Sequence, residues 1–238
     1  MAPAIIRLRR DLRLAVDVLA TPTDVFAELA AHPRWGAAFV LFAPFVVFNA
    51  LLMRPFLDAL TYQRLESLLP PEQIDIAVAA SHRMQIVQLP FSAIFLPVRW
   101  LFLSTIISGL LAISSHRSPP FAILFSVVAF SQAVLVVMDL VNLLLLYWNG
   151  PDAVRGVPDL DAIRGLALLM PDRSARPALA AFLGNFNPFT LWHTVTIGIG
   201  ISVVSGHSRM RSFLIASLAW ILTGALASGA AYLATPSP

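Results

Sequence analysis

The sequence has no cysteine and no lysine, and only 12% of its 238 residues are charged. Without cysteine there is no disulfide framework, thiolate metal site, iron–sulfur cluster or cysteine nucleophile. The cationic side chains are all arginine and are spread along the chain. No basic block forms a nucleic-acid footprint, so no nucleic-acid partner is expected. The scarcity of charge also argues against a soluble domain, which needs a polar face on most of its elements. What is abundant is apolar: 58% of residues are hydrophobic and the mean hydropathy is +0.79. The solvent is therefore expected to be a lipid bilayer. The wealth of Ala, Arg and Pro fits a GC-rich, bacterial coding sequence.

Charge-free runs locate the membrane spans, since a helix needs about 20 apolar residues to cross the hydrocarbon core. The first run is Trp35 to Met53, and the span built on it is placed at 35–57. The second, at 90–113, is interrupted only by Arg99, and the third, at 121–148, only by Asp139. The fourth is placed at 189–204, after an apolar lead-in from Pro177 that should lie at the interface, and the fifth at 212–234. Runs such as Leu140 to Trp148 do not alternate as barrel strands would. The expected fold is an all-α integral membrane bundle of about five helices, residues 35–234, preceded by a cytoplasmic amphipathic segment, residues 1–34. No internal repeat is visible.

In that segment Ile5, Leu8, Leu12, Ala15, Val16 and Leu19 recur at helical spacing, with Arg7, Arg10, Arg13 and Asp17 elsewhere around the helix. The pattern suits a helix on an anionic leaflet. Thr21 is placed to cap a second short helix, with Pro22 in its first turn and Asp24 completing a capping-box pattern. Pro70-Pro71-Glu72-Gln73 and Pro158-Asp159 open further short helices in the long loops. Leu14 to Ala20, broken by Asp17, is too short for a signal-peptide core, so the first span is expected to serve as an uncleaved insertion signal. The short loops around Arg117 and Arg209–Arg211 hold arginine without acid, whereas the two long loops mix both signs. The arginine bias therefore predicts a cytoplasmic N-terminus and an external C-terminus, and with the bacterial composition the expected location is a bacterial inner membrane.

The residues that could carry chemistry lie inside the spans. Arg99 comes nine residues after Pro90, and Asp139 nine residues before Trp148. At 1.5 Å per residue both would lie about 14 Å below the outer surface. A lone charge at that depth costs about 2.5–3.5 kcal/mol, so the two are expected to pair. Gln132, Asn142, Asn49 and His193 fall near enough to join an intramembrane polar cluster. This cluster is either interhelical glue or the lining of a solute path. Small residues at four-residue spacing give a second signal, that of close helix packing: Ser104 and Ser108, Gly198 and Ser202, Gly224 and Ser228.

Enzyme motifs are missing. There is no Walker A, HExxH or CxxC sequence. Gly198-Ile199-Gly200 lacks the third glycine of a dinucleotide loop, and Gly206-His207-Ser208-Arg209-Met210 lacks the closing glycine of a nucleophile elbow. His32, His82, His116, His193 and His207 are scattered, so no metal site is expected. No catalytic residue and no cofactor, soluble or bound, is assigned.

Two stretches resemble the YIP1 domain family. One is Asn187-Pro188-Phe189-Thr190-Leu191-Trp192, continuing through Ile197-Gly198-Ile199-Gly200-Ile201 to Gly206-His207-Ser208-Arg209. The other is Thr21-Pro22-Thr23-Asp24-Val25-Phe26 with Pro33 and Trp35 before the first span. The resemblance would cover about Thr21 to Ala234 and implies five spans and a cytoplasmic N-terminus. Eukaryotic members sit in Golgi and ER membranes in association with Rab GTPases, but the motifs they carry in the first spans are not intact here. The resemblance thus implies fold and topology and brings no catalytic residues. The expected function is that of a non-enzymatic membrane organiser, adaptor or scaffold. Its partners would be the lipid bilayer and either other membrane proteins or a second copy. The alternative is a small channel or transporter that uses the Arg/Asp/Asn cluster.

Overall fold

A computed structural model describes residues 2–66, 68–114, 118–170 and 176–234. It is all-helical: α1 (Ala2–Asp17), α2 (Pro22–Ala31), α3 (Trp35–Leu52), α4 (Arg54–Glu66), α5 (Pro71–Ser114), α6 (Phe121–Asn149), α7 (Pro177–Gly184), α8 (Pro188–Ser205) and α9 (Arg209–Ala234). Between α6 and α7 the described residues form 3-10 turns at Pro151–Ala153, Val157–Asp159 and Gly165–Leu169. Among the described residues five helices (α3, α5, α6, α8 and α9) are long and apolar enough to cross a membrane. The chain is a multi-pass integral membrane protein.

α6 is the axis of the bundle. Every residue from Leu124 to Leu135 is buried, and a helix that is apolar all round belongs in the middle of its neighbours. α3, α5 and α8 pack directly on α6, while α9 packs on α8 and α5. With no hydrophobic drive between helices in lipid, the bundle depends on close packing and on hydrogen bonds. Trp35 and Trp100 both meet Phe125 edge-on, and Phe42 meets Trp100 likewise. At the other end of α6 the Tyr147 hydroxyl donates to the Leu52 carbonyl at 2.9 Å, tying the ends of α3 and α6 together.

Three elements differ from the sequence reading. α3 ends at Leu52, and the chain restarts at Arg54 as the separate helix α4, so the first span is shorter than 35–57. Pro71 does open a helix, but this helix runs unbroken through Pro90 and Pro97 to Ser114. Its 44 residues make a rod of about 66 Å, over twice the hydrocarbon thickness of roughly 30 Å. Proline removes one donor and kinks a helix without having to end it, because nearby hydroxyls can satisfy freed carbonyls. The carbonyls that lose their donors are those of Ile86 and Ala93, one turn before each proline, and beside Pro90 the Ser92 hydroxyl donates to the Leu89 carbonyl at 2.7 Å. α4 folds back against this extension. Finally, α2 starts at Pro22 as expected, but Thr21 does not cap it. The Thr21 hydroxyl donates backwards to the Asp17 carbonyl at 3.2 Å, closing the end of α1 instead.

α8 opens on a reciprocal cap. The amides of Phe189 and Thr190 both donate to Asn187 Oδ1 at 3.0 Å, and the Asn187 amide donates to Thr190 Oγ1 at 3.2 Å. This reciprocal box fixes where α8 begins, and a left-handed Gly206 (φ 71°) ends it.

α1 and α2 dock on the bundle end from which α3 and α6 start. Leu14, Val18, Phe26 and Leu29 enter the common core. The Arg34 guanidinium meets Asp11 at 2.7 Å, and Arg10 meets Glu28 at 2.7 Å. The Arg34 amide donates to Ser126 Oγ at 3.0 Å, joining this entry segment to α6.

Candidate functional site: an intramembrane polar cluster and cavity

The register between α5 and α6 is set by a buried hydrogen bond, in which Trp100 Nε1 donates to Gln132 Oε1 at 3.3 Å. Arg99 is next to Trp100, while Asp139 lies seven residues beyond Gln132. Asp139 is therefore about 10 Å further along the bundle than Arg99. The two residues are not level, and among the described residues no contact ion pair joins them. Side chains on a helix lean toward its N-terminus. Because α5 runs antiparallel to α6, this lean aims Arg99 toward Asp139. The two charges remain within electrostatic reach of one another, and Asp139 also feels Asp161.

The other members of the predicted cluster divide. Gln132 is buried and holds Trp100. Asn142 is a clamp on the loop beyond α6: its Nδ2 donates to the Leu160 carbonyl at 3.0 Å, and its Oδ1 accepts from the Ala162 amide at 2.7 Å. Asn49 sits on α3 with its Oδ1 buried and without a hydrogen-bond partner among the described residues. His193 is buried on α8 within electrostatic reach of Arg99.

Arg99 and His193 face a shared cavity of about 750 Å³ between α5, α6, α8 and α9. Its walls are mainly apolar and aromatic, including Phe95, Phe102 and Trp220, with Thr190 and Thr194 on the α8 side. Both threonine hydroxyls donate to carbonyls of the chain itself, Thr190 to Asn185 and Thr194 to Thr190. Among the described residues the lining holds one guanidinium, one imidazole and no carboxylate.

The predicted small-residue positions also play different roles. A Cβ added at Gly198 would lie 3.2 Å from the Phe213 Cα, so α8 and α9 touch backbone to backbone there. Gly224 is looser, with its nearest neighbours, in Phe182 and Asn185, at 3.9 Å, and it lines the cavity. Ser202 donates to the His207 carbonyl at 2.9 Å, fastening the turn into α9. Ser104 and Ser228 are buried and their hydroxyls have no partner among the described residues, and Ser108 is half-buried. The tightest approach is at Gly200, where a Cβ would fall 2.3 Å from Val127 Cγ1 and 3.2 Å from the Phe26 ring. The alternation Gly198, Gly200 was visible in the sequence, but four-residue spacing selected only the first of the two.

Comparison with curated proteins returned no match, and neither did comparison with solved structures. The family model for the Yip1 domain matches residues 16–230, from the last turn of α1 to the last turns of α9. This stretch takes in all five spanning helices, the capping box of α8 and the glycine contacts of α8 with α6 and α9, and the chain belongs to the Yip1 domain family.

Proposed function

We propose that this protein is a non-enzymatic organiser of a bacterial cytoplasmic membrane. In this reading it acts as a scaffold or adaptor whose α1–α2 end faces the cytoplasm. The observation that carries the reading is the form of α1. Its inner side is anchored in the core through Leu14 and Ala15, with Val18 just past its end. A second row, Ile5, Leu8, Leu12 and Val16, stays more than half exposed, flanked by exposed Arg7, Arg9 and Arg13. A rigidly held helix with an uncovered apolar row and a cationic border suits the headgroup–acyl boundary of an anionic leaflet. Arginine at this end also agrees with a cytoplasmic orientation.

The alternative, a solute or ion path through Arg99, Asp139 and Asn142, draws less support. Asn142 and Gln132 use their polar atoms to hold chain segments together, and Arg99 and Asp139 stand two turns apart along the bundle.

Reconstitution into a mixture of large and small vesicles containing anionic lipid separates the two readings. An organiser should concentrate in the small, highly curved vesicles. Leu8→Glu/Leu12→Glu should abolish that preference while the chain stays folded, and entrapped ions and small solutes should not leak. An even distribution of the unmodified chain, or a flux that Asp139→Asn abolishes, would reject the organiser reading.

A further inference from the structure

The cavity beside Arg99 has the size and wall chemistry of a ligand site: several hundred cubic ångströms, mostly apolar, with a few converging polar groups. Three features set its ligand class. First, among the described residues the one cation in the lining is Arg99, which is exposed toward the groove and makes no contact ion pair with any of them. Asp139, two turns away along the bundle, does not line the cavity. Second, the flanks Phe95, Val98 and Leu226 are all more than half exposed, so the cavity opens sideways between α5 and α9 toward lipid. Third, Arg99 lies deep. It is level with Gln132 in the middle of α6, far from the end that Tyr147 marks.

A guanidinium open to hydrocarbon at that depth needs an anion, and a carboxylate matches its planar donor pair. Phosphodiester headgroups stay at the bilayer surface, whereas a carboxylic acid enters the hydrocarbon as the neutral acid. Beside Arg99 a nearby opposite charge favours the ionised form, so binding leaves the carboxylate on Arg99 and releases the acid's proton to the aqueous phase.

We propose that the cavity binds a single-chain lipid with a carboxylate head, a free fatty acid. The carboxylate sits on Arg99, and the alkyl chain runs past Phe95 and Trp220 out between α5 and α9. This site is independent of the part played by α1.

The test uses the full chain in vesicles with three photoactivatable probes that carry the same diazirine-bearing chain: a fatty acid, the corresponding fatty alcohol and a phosphatidylcholine. Losing a charge-assisted hydrogen bond corresponds to about tenfold or more in affinity. The acid should therefore label α5 and α9 peptides about tenfold more than the alcohol or the phospholipid. Two variants should lower acid labelling to the alcohol level: Arg99→Gln, which removes the charge, and Gly224→Leu, which fills the cavity from the opposite wall. There is room for the start of that side chain, since nothing lies closer than 3.9 Å to a Cβ there. Equal labelling of the unmodified chain by acid and alcohol overturns the proposal, and this comparison does not depend on any variant folding. Preferential labelling by the phospholipid overturns it too, as does undiminished acid labelling of folded Gly224→Leu.

Discussion

Gly200→Ala adds a single carbon where α8 crosses α6, and its effect follows from three distances. The new Cβ would lie 2.3 Å from Val127 Cγ1 and 3.2 Å from two Phe26 ring carbons. Carbon atoms rest about 3.5–4.0 Å apart, so the overlap with Val127 exceeds an ångström. Val127 is fully buried and β-branched, which leaves it no free rotamer to take. Phe26, also fully buried, blocks the other side. Overpacking of this kind costs about 1–3 kcal/mol, and replacing a helical glycine returns up to about 1 kcal/mol. The net result is a loss of about 1–2 kcal/mol. Gly109, on α5, provides the contrast: a Cβ there meets nothing within 4 Å, so Gly109→Ala should gain about 0.5–1 kcal/mol. Val127→Ala deletes the clashing methyl. The double variant Gly200→Ala/Val127→Ala should thus be more stable than the two single losses would sum to, with a coupling of about 0.5–3 kcal/mol. Reversible unfolding in mixed detergent micelles, followed by tryptophan fluorescence, measures all four chains. If Gly200→Ala is stabilised like Gly109→Ala, or if the double variant is simply additive, the close contact of α8 with α6 and α2 does not exist.

Other substitutions probe the remaining joints. Gln132→Leu leaves the buried Trp100 indole N–H without its acceptor and should cost about 1–3 kcal/mol in the same unfolding assay. Asp11→Arg sets two cations against each other where α1 meets Arg34. It should raise the rate at which protease clips the stretch between α1 and α2 about 5–30-fold, the equivalent of 1–2 kcal/mol, and Arg34→Asp in the same chain should restore protection. Asp139→Asn should cost about 1 kcal/mol, short of the roughly 3–5 kcal/mol for breaking a buried contact pair. The exchange Arg99→Asp/Asp139→Arg should recover only part of the folded yield lost in the single reversals. Full recovery would mean a direct contact.

Much of the architecture could be read from apolar run lengths alone. The expected spans at 121–148 and 189–204 differ by a residue at most from α6 and α8, because lipid imposes length and charge rules that few local effects override. Reading failed where a residue's local habit met tertiary support. Pro90 suggested a boundary, yet α5 carries it inside a single rod. Thr21 has the composition of a cap, yet its hydroxyl reaches back to Asp17. Arg99 and Asp139 looked level because depth was counted from loop ends, whereas the register is fixed by Trp100 on Gln132, a pairing no spacing rule reveals. Asn142 looked like a cluster member, but what it holds is the backbone at Leu160 and Ala162. The cavity itself is formed by four helices, with Arg99 and His193 from separate ones, so no local pattern could have announced it.

Five helices crossing the bilayer in alternation put successive loops on opposite sides, and the absence of cysteine makes that directly measurable. Single cysteines placed at Leu68, Asp152, Ser118 and His207 can be challenged with a membrane-impermeant thiol reagent on sealed vesicles of one orientation. Leu68→Cys and Asp152→Cys should react from one side, and Ser118→Cys and His207→Cys only from the other. Labelling of Asp152→Cys and His207→Cys from the same side would contradict the five-span bundle.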